Sequence, residues 1–334
     1  MFFRDKKLLI IGGTGTIGRN IIKHILVEQP SVIRIFSRDE YKQYQLQNEL
    51  GERSNLRFLI GDVRDYDRVY SAMQDIDYVF HLAAMKHVPS CEYNPYEAVL
   101  TNIQGTYNVI KAANAQFVKK VVFTSSDKAI SPTNTYGATK LTAEKLITAA
   151  EATKGNGQTT FASVRFGNVL GSRGSVIPFF KKQLIENKRI TVTDKKMTRF
   201  MMTLGQATKL TIKALQESQG GEVFVLKMPV ILLEDLVSII IEEVCGKYNI
   251  KLKEINVEEI GLRAGEKMYE ELMTYDESTV AWELPDMFVI PGLYQKDDKY
   301  PGAQKALRGT YSSMNQVPLT DIELYNLIKG ELLI

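Results

Sequence analysis

Tyr136 and Lys140 stand four residues apart in Tyr136-Gly137-Ala138-Thr139-Lys140, a spacing that puts both on one helix face, a turn apart. A phenol with a pKa near 10 is a poor base at neutral pH. An ammonium beside it stabilises the phenolate, which can then take a proton from an alcohol. Any amphipathic helix can carry such a pair by chance, so the preceding segment matters. Thr124-Ser125-Ser126-Asp127-Lys128 adds hydroxyls, a carboxylate and an amine at the end of an apolar run.

A second group of residues suits a phosphate. Gly12-Gly13-Thr14-Gly15-Thr16-Ile17-Gly18 follows a β-branched run and opens a helical one, with glycines at Gly12, Gly15 and Gly18. These permit a tight turn, close backbone approach to a pyrophosphate and close helix-to-strand packing, with the phosphates on the helix N-terminus. Such glycines are common for backbone reasons alone; the elements on either side turn the reading toward a dinucleotide. Phe36-Ser37-Arg38-Asp39 ends the next run. NAD would ask here for a carboxylate on its ribose hydroxyls, NADP for a hydroxyl and a guanidinium around its 2′-phosphate. Ser37 and Arg38 come first, so NADP is expected, with Asp39 turned into the following helix. The alternative is a solvated Arg38 with Asp39 as the NAD ligand. Asp62, with Val63 after it, would lie beside the adenine; Ala83 and Ala84 would keep the groove floor thin; Lys86 would approach the phosphates of substrate or cofactor.

These residues need a scaffold, and short β-branched runs alternating with helical periods supply one. Strands are predicted at Lys7 to Ile11, Val32 to Ser37, Leu56 to Ile60, Tyr78 to Leu82, Val121 to Ser125 and Thr160 to Arg165. Helices are predicted to begin near Thr16, Tyr41, Asp67, Pro95 and Tyr136. The expected fold is α/β, a Rossmann-type doubly wound parallel sheet whose ligands bind at the carboxyl ends of its strands. Residues 1–166 are read as the NADP-binding domain. Residues 167–334, with a glycine-rich loop, a basic stretch at Lys195 and Lys196 and a further strand near Glu222 to Leu226, are read as a smaller, partly interleaved substrate-binding region. Forty-two basic against thirty-nine acidic residues leave a net charge of +3, too small and too interspersed for nucleic acid. Cys91 and Cys245 match no metal or redox spacing and read as buried free thiols, which fits a cytoplasmic protein. No metal is expected. His24, His81 and His87 read as packing residues, and no run approaches membrane-spanning length.

The motifs in this order resemble an extended short-chain dehydrogenase/reductase. Ser-Asp-Lys-Ala at 126–129, Asn-x-Tyr-Gly-Ala-Thr-Lys at 134–140, Arg-Phe-Gly-Asn-Val-Leu-Gly-Ser-Arg-Gly-Ser-Val at 165–176, Met-Thr-Arg-Phe at 197–200 and Gly-Leu-Arg-Ala-Gly-Glu-Lys at 261–267 resemble the UDP-N-acetylglucosamine 4,6-dehydratase family. The likeness covers about the first 275 residues and suggests the short soluble branch, without the membrane region of larger members. Ala264 stands where the last motif usually has proline.

The resemblance implies that NADP takes hydride from C4 of UDP-N-acetylglucosamine while Tyr136, supported by Lys140, takes the 4-hydroxyl proton. Asp127 then protonates the departing 6-hydroxyl, Lys128 removes the C5 proton, and hydride returns to C6. Lys128 must be neutral to do so; Lys140 and the nicotinamide would push its pKa down, and the alternative is an ion pair with Asp127 or a phosphate. Ser125 and Val169 join the cofactor residues. Ser126, Asn168, Arg173, Ser175, Val176, Arg199, Arg263 and Glu266, with Lys86, join the substrate residues, the arginines suited to a diphosphate and Glu266 to a ribose diol. A homo-oligomer, dimer or larger, is expected, without nucleic-acid or membrane partners. Two rivals remain: a nucleotide-sugar 4-epimerase or reductase, and a non-catalytic NADP-binding regulator.

Overall fold

The computed structural model describes residues 1–172, 175–292, 300 and 302–331. Its first half is a run of strand and helix units: β1 (Lys7–Ile11), α1 (Thr16–Leu26), β2 (Val32–Ser37), α2 (Glu40–Leu50), β3 (Leu56–Ile60), α3 (Tyr66–Met73), β4 (Tyr78–His81), α4 (Val88–Tyr93) and α5 (Pro95–Ala98). A π-helical stretch, Val99–Gln104, runs into α6 (Gly105–Ala115), followed by β5 (Lys120–Thr124), α7 (Thr135–Thr153) and β6 (Thr160–Arg165). All six predicted strands form within a residue of the expected bounds; β1, β4, β5 and β6 are apolar runs buried on both sheet faces, while β3, at the sheet edge, keeps Arg57 and Ile60 exposed.

The six pair in parallel in the order β3-β2-β1-β4-β5-β6, so the order reverses direction beside β1. That reversal opens a crevice at the carboxyl ends of β1 and β4. Successive residues of β1 face opposite sides. Leu8 and Ile10 join Ile21, Ile22 and Ile25 of α1 in one core. Leu9 and Ile11 join Val69 of α3, Val109 of α6 and Ile147 of α7 in the other.

The second half is irregular in sequence and divided in space. It contains β7 (Asn168–Val169), α8 (Val176–Asn187), β8 (Arg189–Val192), β9 (Thr198–Met202), α9 (Leu204–Glu217), β10 (Val223–Leu226), β11 (Val230–Leu232), α10 (Leu233–Tyr248), β12 (Asn256–Glu259), β13 (Glu271–Met273), α11 (Tyr275–Val280), β14 (Trp282–Glu283), β15 (Met287–Ile290), β16 (Gln304–Lys305), β17 (Tyr311–Ser312) and α12 (Asp321–Gly330). The strand expected near Glu222 to Leu226 forms as β10, and it extends the main sheet parallel to β6. All four of its residues are buried, as a place between β6 and β15 inside a sheet covered on both faces allows. Antiparallel β15, β14 and β16 complete a ten-stranded sheet. A separate core forms where Ile177, Phe180 and Leu184 of α8 meet Leu236 and Ile240 of α10 and Leu324 and Ile328 of α12.

Candidate active site

The crevice at the strand ends is a cavity of about 960 Å³. Its floor begins with Gly12, whose φ of +83° suits glycine and whose Cβ would meet the Ala83 nitrogen at 2.8 Å. The loop between β1 and α1 thereby lies directly on the chain leaving β4. Gly12, Thr14, Gly15, Thr16, Ile17 and Gly18 all line the cavity, as do Ser37, Arg38, Val63, Ala83, Ala84 and Lys86. Thr14 and Ser37 join their hydroxyls at 2.9 Å. Asp39 caps α2, accepting the Lys42 backbone N–H at 2.9 Å, yet it too reaches the cavity wall.

Asp62 is drawn aside. Its carboxylate accepts Arg64 Nε at 2.9 Å and the Arg64 backbone N–H at 3.0 Å, with Arg38 at 3.5 Å. Burial alone would raise its pKa, but Arg64 and Arg38 hold it below the usual carboxylate range. It does not line the cavity.

At the far end stand Thr124, Ser125, Ser126, Asp127 and Lys128, facing Tyr136 and Lys140. The first residues leave β5 and turn through a single 3₁₀ turn, Asp127–Ala129. Helix α7 starts on the Asn134 cap, whose Oδ1 accepts the Gly137 N–H at 2.8 Å. It packs so closely on that turn that a Cβ at Gly137 would fall 2.1 Å from the Lys128 carbonyl oxygen. Glycine at 137 is therefore what brings Tyr136 and Lys140 against Asp127 and Lys128.

Lys140 is buried. Its Nζ donates to the Thr124 carbonyl at 2.5 Å and lies 3.9 Å from the centre of the Phe123 ring. Burial lowers its pKa to about 7, with Glu144 acting against the fall. Burial raises the phenol of Tyr136, opposed by Ser126 and by the charge of Lys128. Asp127 accepts Ser126 Oγ at 2.8 Å and the Lys128 backbone N–H at 2.8 Å.

Lys128 corrects one expectation. Its Nζ sits 3.2 Å from both oxygens of Asp127 and 3.4 Å from Oε1 of Glu270. Burial would strip its proton, but the two carboxylates outweigh burial and hold its pKa above the ordinary lysine value, while Arg199 opposes them. Lys140 is not among the groups that act on Lys128; the ion pair with Asp127, weighed as the alternative, is the arrangement that forms, with Glu270 added.

Asn168, Val169, Ser175 and Val176 continue the wall past β6. Ser125 and Ser175 are notable because each buries an Oγ with no partner among the described residues, and both face the cavity. A hydroxyl left so is stabilised by a polar ligand. These orphan hydroxyls and the Gly12 cradle fit a dinucleotide along the strand ends.

Three of the expected substrate residues lie off the cavity wall. Arg199 spends its guanidinium on the carbonyls of Thr198, Met268 and Lys267 at 2.8, 3.1 and 2.8 Å. Arg263 and Glu266 sit on a loop that faces solvent and hold each other, the Arg263 N–H donating to Glu266 at 3.3 Å. That loop is pinned to the start of α7, since Thr133 and Asn134 both donate to the Gly265 carbonyl at 3.0 Å. Arg173 lies outside the described residues.

His81 is buried, its Nε2 joined to Thr106 Oγ1 at 3.0 Å; burial and then Lys140 lower its pKa to about 3. His24 meets the Asn20 carbonyl on α1. His87 departs from the packing expectation: it is exposed on the cavity rim, because the chain leaving β4 has turned outward there. Both cysteines are free and buried. Sequence reasoning missed Asn102, which pairs with both backbone groups of Met85 at 2.8 and 3.0 Å and donates to Thr139 at 2.9 Å. It ties the cavity floor to α7. It also missed Glu270, which follows the last quoted motif by three residues.

Residues 8–292 match the sequence profile of the polysaccharide biosynthesis protein family. The chain belongs to that family. Within it, a UDP-N-acetylglucosamine 4,6-dehydratase (inverting) from Campylobacter jejuni subsp. jejuni serotype O:2 is 43% identical over 86% of this chain and 83% of its own. A UDP-glucose 4-epimerase from Rickettsia bellii is 42% identical over 86% of this chain and 84% of its own. The X-ray structure of Pen from Bacillus thuringiensis is 62% identical, with a TM-score of 0.95 and full coverage of both chains. Family and fold together make this chain an enzyme of the extended short-chain dehydrogenase/reductase type. Among the described residues no helix is long and apolar enough to cross a membrane.

Proposed function

We propose that this enzyme dehydrates UDP-N-acetylglucosamine to a 6-deoxy-4-keto sugar nucleotide with NADP held along the strand ends. The observation that carries the reading is the Asp127 and Lys128 pair lining the same end of the cavity as Tyr136 and Lys140. Chemistry confined to C4 needs only the latter two; removing water across C5 and C6 needs an acid and a base beyond them. The name of the Campylobacter relative agrees.

Gly12, Thr14, Gly15, Thr16, Ile17 and Gly18 would hold the pyrophosphate, Ser37 and Arg38 the 2′-phosphate, Ser125 and Val169 the nicotinamide end. The segments after Gly167, with Arg173, would take the nucleotide sugar. The coenzyme supplies a reversible hydride acceptor, so the reaction closes without net redox change. Tyr136 takes the 4-hydroxyl proton, its phenolate supported by the charge of Lys128 and by Lys140 in its ammonium form, a share that falls as pH rises through about 7. The ketone so formed at C4 acidifies the C5 hydrogen.

Lys128 and Asp127 become base and acid in one transfer. A proton passing from Nζ to an Asp127 oxygen, 3.2 Å away, leaves a neutral amine and a protonated carboxyl. The amine removes the C5 proton, the carboxyl protonates the 6-hydroxyl, the C6–O bond breaks, and water leaves. Loss of water leaves a C5=C6 alkene conjugated to the C4 ketone, with Lys128 as ammonium and Asp127 as carboxylate. Lys128 gives a proton back to C5 while hydride returned from the bound coenzyme would enter C6. Release of the proton held by Tyr136 lets Lys128 regain its own, so that all three groups end as they began.

A 4-epimerase is the second reading, favoured by the name of the Rickettsia bellii relative. Single-turnover absorbance of the coenzyme, read together with the sugar product by NMR, separates the two. Tyr136→Phe should stop both coenzyme reduction and product formation. Lys128→Ala should still reduce bound coenzyme yet form no 6-deoxy product, a loss of ~10²–10⁴-fold in elimination. A Lys128→Ala enzyme that still dehydrates would refute the assignment.

A further inference from the structure

Glu270 lies outside every expected role, yet its carboxylate is buried beside the reacting pair. It is 4% exposed, and Oε1 stands 3.4 Å from Lys128 Nζ and 3.9 Å from Arg199 Nε. It does not line the cavity, so it reaches the chemistry only through Lys128. We propose that Glu270 is a positioning residue that fixes the Lys128 amine on the cavity wall and governs when it gives up its proton, a role that rests on the dehydratase reading.

The placement is built, not incidental. The Glu270 backbone is clamped by Ser313, whose Oγ accepts its N–H at 3.0 Å and whose own N–H donates to its carbonyl at 2.9 Å. Arg199 braces the preceding residues by donating to the Lys267 and Met268 carbonyls. Lys267 in turn donates to the Ile130 carbonyl at 2.9 Å, just past the Asp127–Ala129 turn. Three separate attachments thus bring one carboxylate to one amine from 142 residues away in sequence.

The charges explain why such a carboxylate is kept. Lys128 faces Asp127 on its own turn, Glu270 from the segment before β13, Arg199 from β9 and Tyr136 from α7. With Lys128 charged, two carboxylates and two cations cancel, and a neutral cluster tolerates burial. The carboxylates differ in their supports. Asp127 has a hydroxyl and a backbone N–H to stabilise its charge, whereas among the described residues the Glu270 carboxylate meets the two cations Lys128 and Arg199. Burial raises Glu270, and Lys128 and Arg199 oppose the rise. Losing Glu270's charge would leave Lys128 with one carboxylate and an unbalanced Arg199, so the amine would shed its proton more easily. Glu270 in this way holds Lys128 as ammonium until substrate is seated.

Competitive acylation of the intact protein with acetic anhydride across pH, read at Lys128 by mass spectrometry, measures this directly and needs no turnover. The Lys128 midpoint should lie above that of ordinary surface lysines. It should fall by roughly one to three pH units in Glu270→Gln, the range for one opposite charge within a few ångströms. Glu270→Asp, which keeps the charge but withdraws it, should fall between. Circular dichroism reports that each variant is folded, and the milder Asp variant carries the test if the Gln variant is not. A midpoint unmoved in the folded variants overturns the proposal. A midpoint that moves as stated, in a wild-type protein that leaves UDP-N-acetylglucosamine intact, upholds Glu270's hold on Lys128 and overturns the dehydratase reading instead.

Discussion

Gly137→Ala would place a methyl group where the Lys128 carbonyl stands. The added Cβ would lie 2.1 Å from that oxygen and 3.0 Å from Pro132 Cβ, whereas ordinary contact begins at 3.4 Å. The gap to be opened is 3.4 − 2.1, or 1.3 Å. Neither atom is the free end of a flexible side chain, so α7 and the Asp127–Ala129 turn must part by about that much. Tyr136 and Lys140 ride on the helix, Asp127 and Lys128 on the turn. The displacement therefore falls between the two halves of the acid–base set. A shift of ~1 Å at reacting groups costs ~100-fold in rate, and overpacking of this kind costs about 1–3 kcal/mol in stability. We expect dehydration of UDP-N-acetylglucosamine, followed by NMR, to fall by that factor in a protein that still melts cooperatively at a lower Tm. Ala138→Ser, at the neighbouring exposed position, should match wild type. A Gly137→Ala enzyme with wild-type turnover would refute the reasoning, because the close approach of helix and turn would then not be what assembles the site.

Two further outcomes test other parts of the account. Arg38 is more than half exposed and only loosely tied to Asp62, so Arg38→Gln should weaken NADP more than NAD in fluorescence titrations; equal losses would remove the 2′-phosphate assignment. Folded His81 stays neutral down to about pH 3, while an unfolded histidine takes a proton below 6.5. The unfolded state then binds more protons, so stability should fall as pH drops through that window, by at most ~1.4 kcal/mol per pH unit from this one group. His81→Gln should flatten the slope in urea titrations, and an unchanged slope would place the titration elsewhere.

What could be read in the sequence was local. The strands of the first half announce themselves because each is a short apolar run between helical periods, and the Tyr136 and Lys140 spacing fixes a shared helix face without further help. The glycines at 12, 15 and 18 were legible for the same reason, since their neighbours in space are their neighbours in the chain. Long-range placement was not legible. Two adjacent glutamates, Glu270 and Glu271, look alike in sequence, and only the Ser313 clamp and the Arg199 brace decide that Glu270 turns toward Lys128. Arg199 carried a motif match, yet three backbone carbonyls that no pattern records claim its donors. Asn102 gave no signal either, because its role depends on a π-helical stretch lying beneath the chain that leaves β4. The strand near Glu222 to Leu226 was visible, but its place beside β6 follows from the need to bury four consecutive apolar residues.

The most direct test of the central claim is to incubate the purified enzyme with UDP-N-acetylglucosamine in deuterated water, without added reductant, and follow the sugar by NMR. The expected result is a 6-deoxy-4-keto product carrying deuterium at C5, because Lys128 exchanges with solvent between taking and returning a proton, with no accumulation of free reduced coenzyme. A product that keeps its 6-hydroxyl and differs only in configuration at C4 would contradict it and leave Asp127 and Lys128 without the role assigned to them.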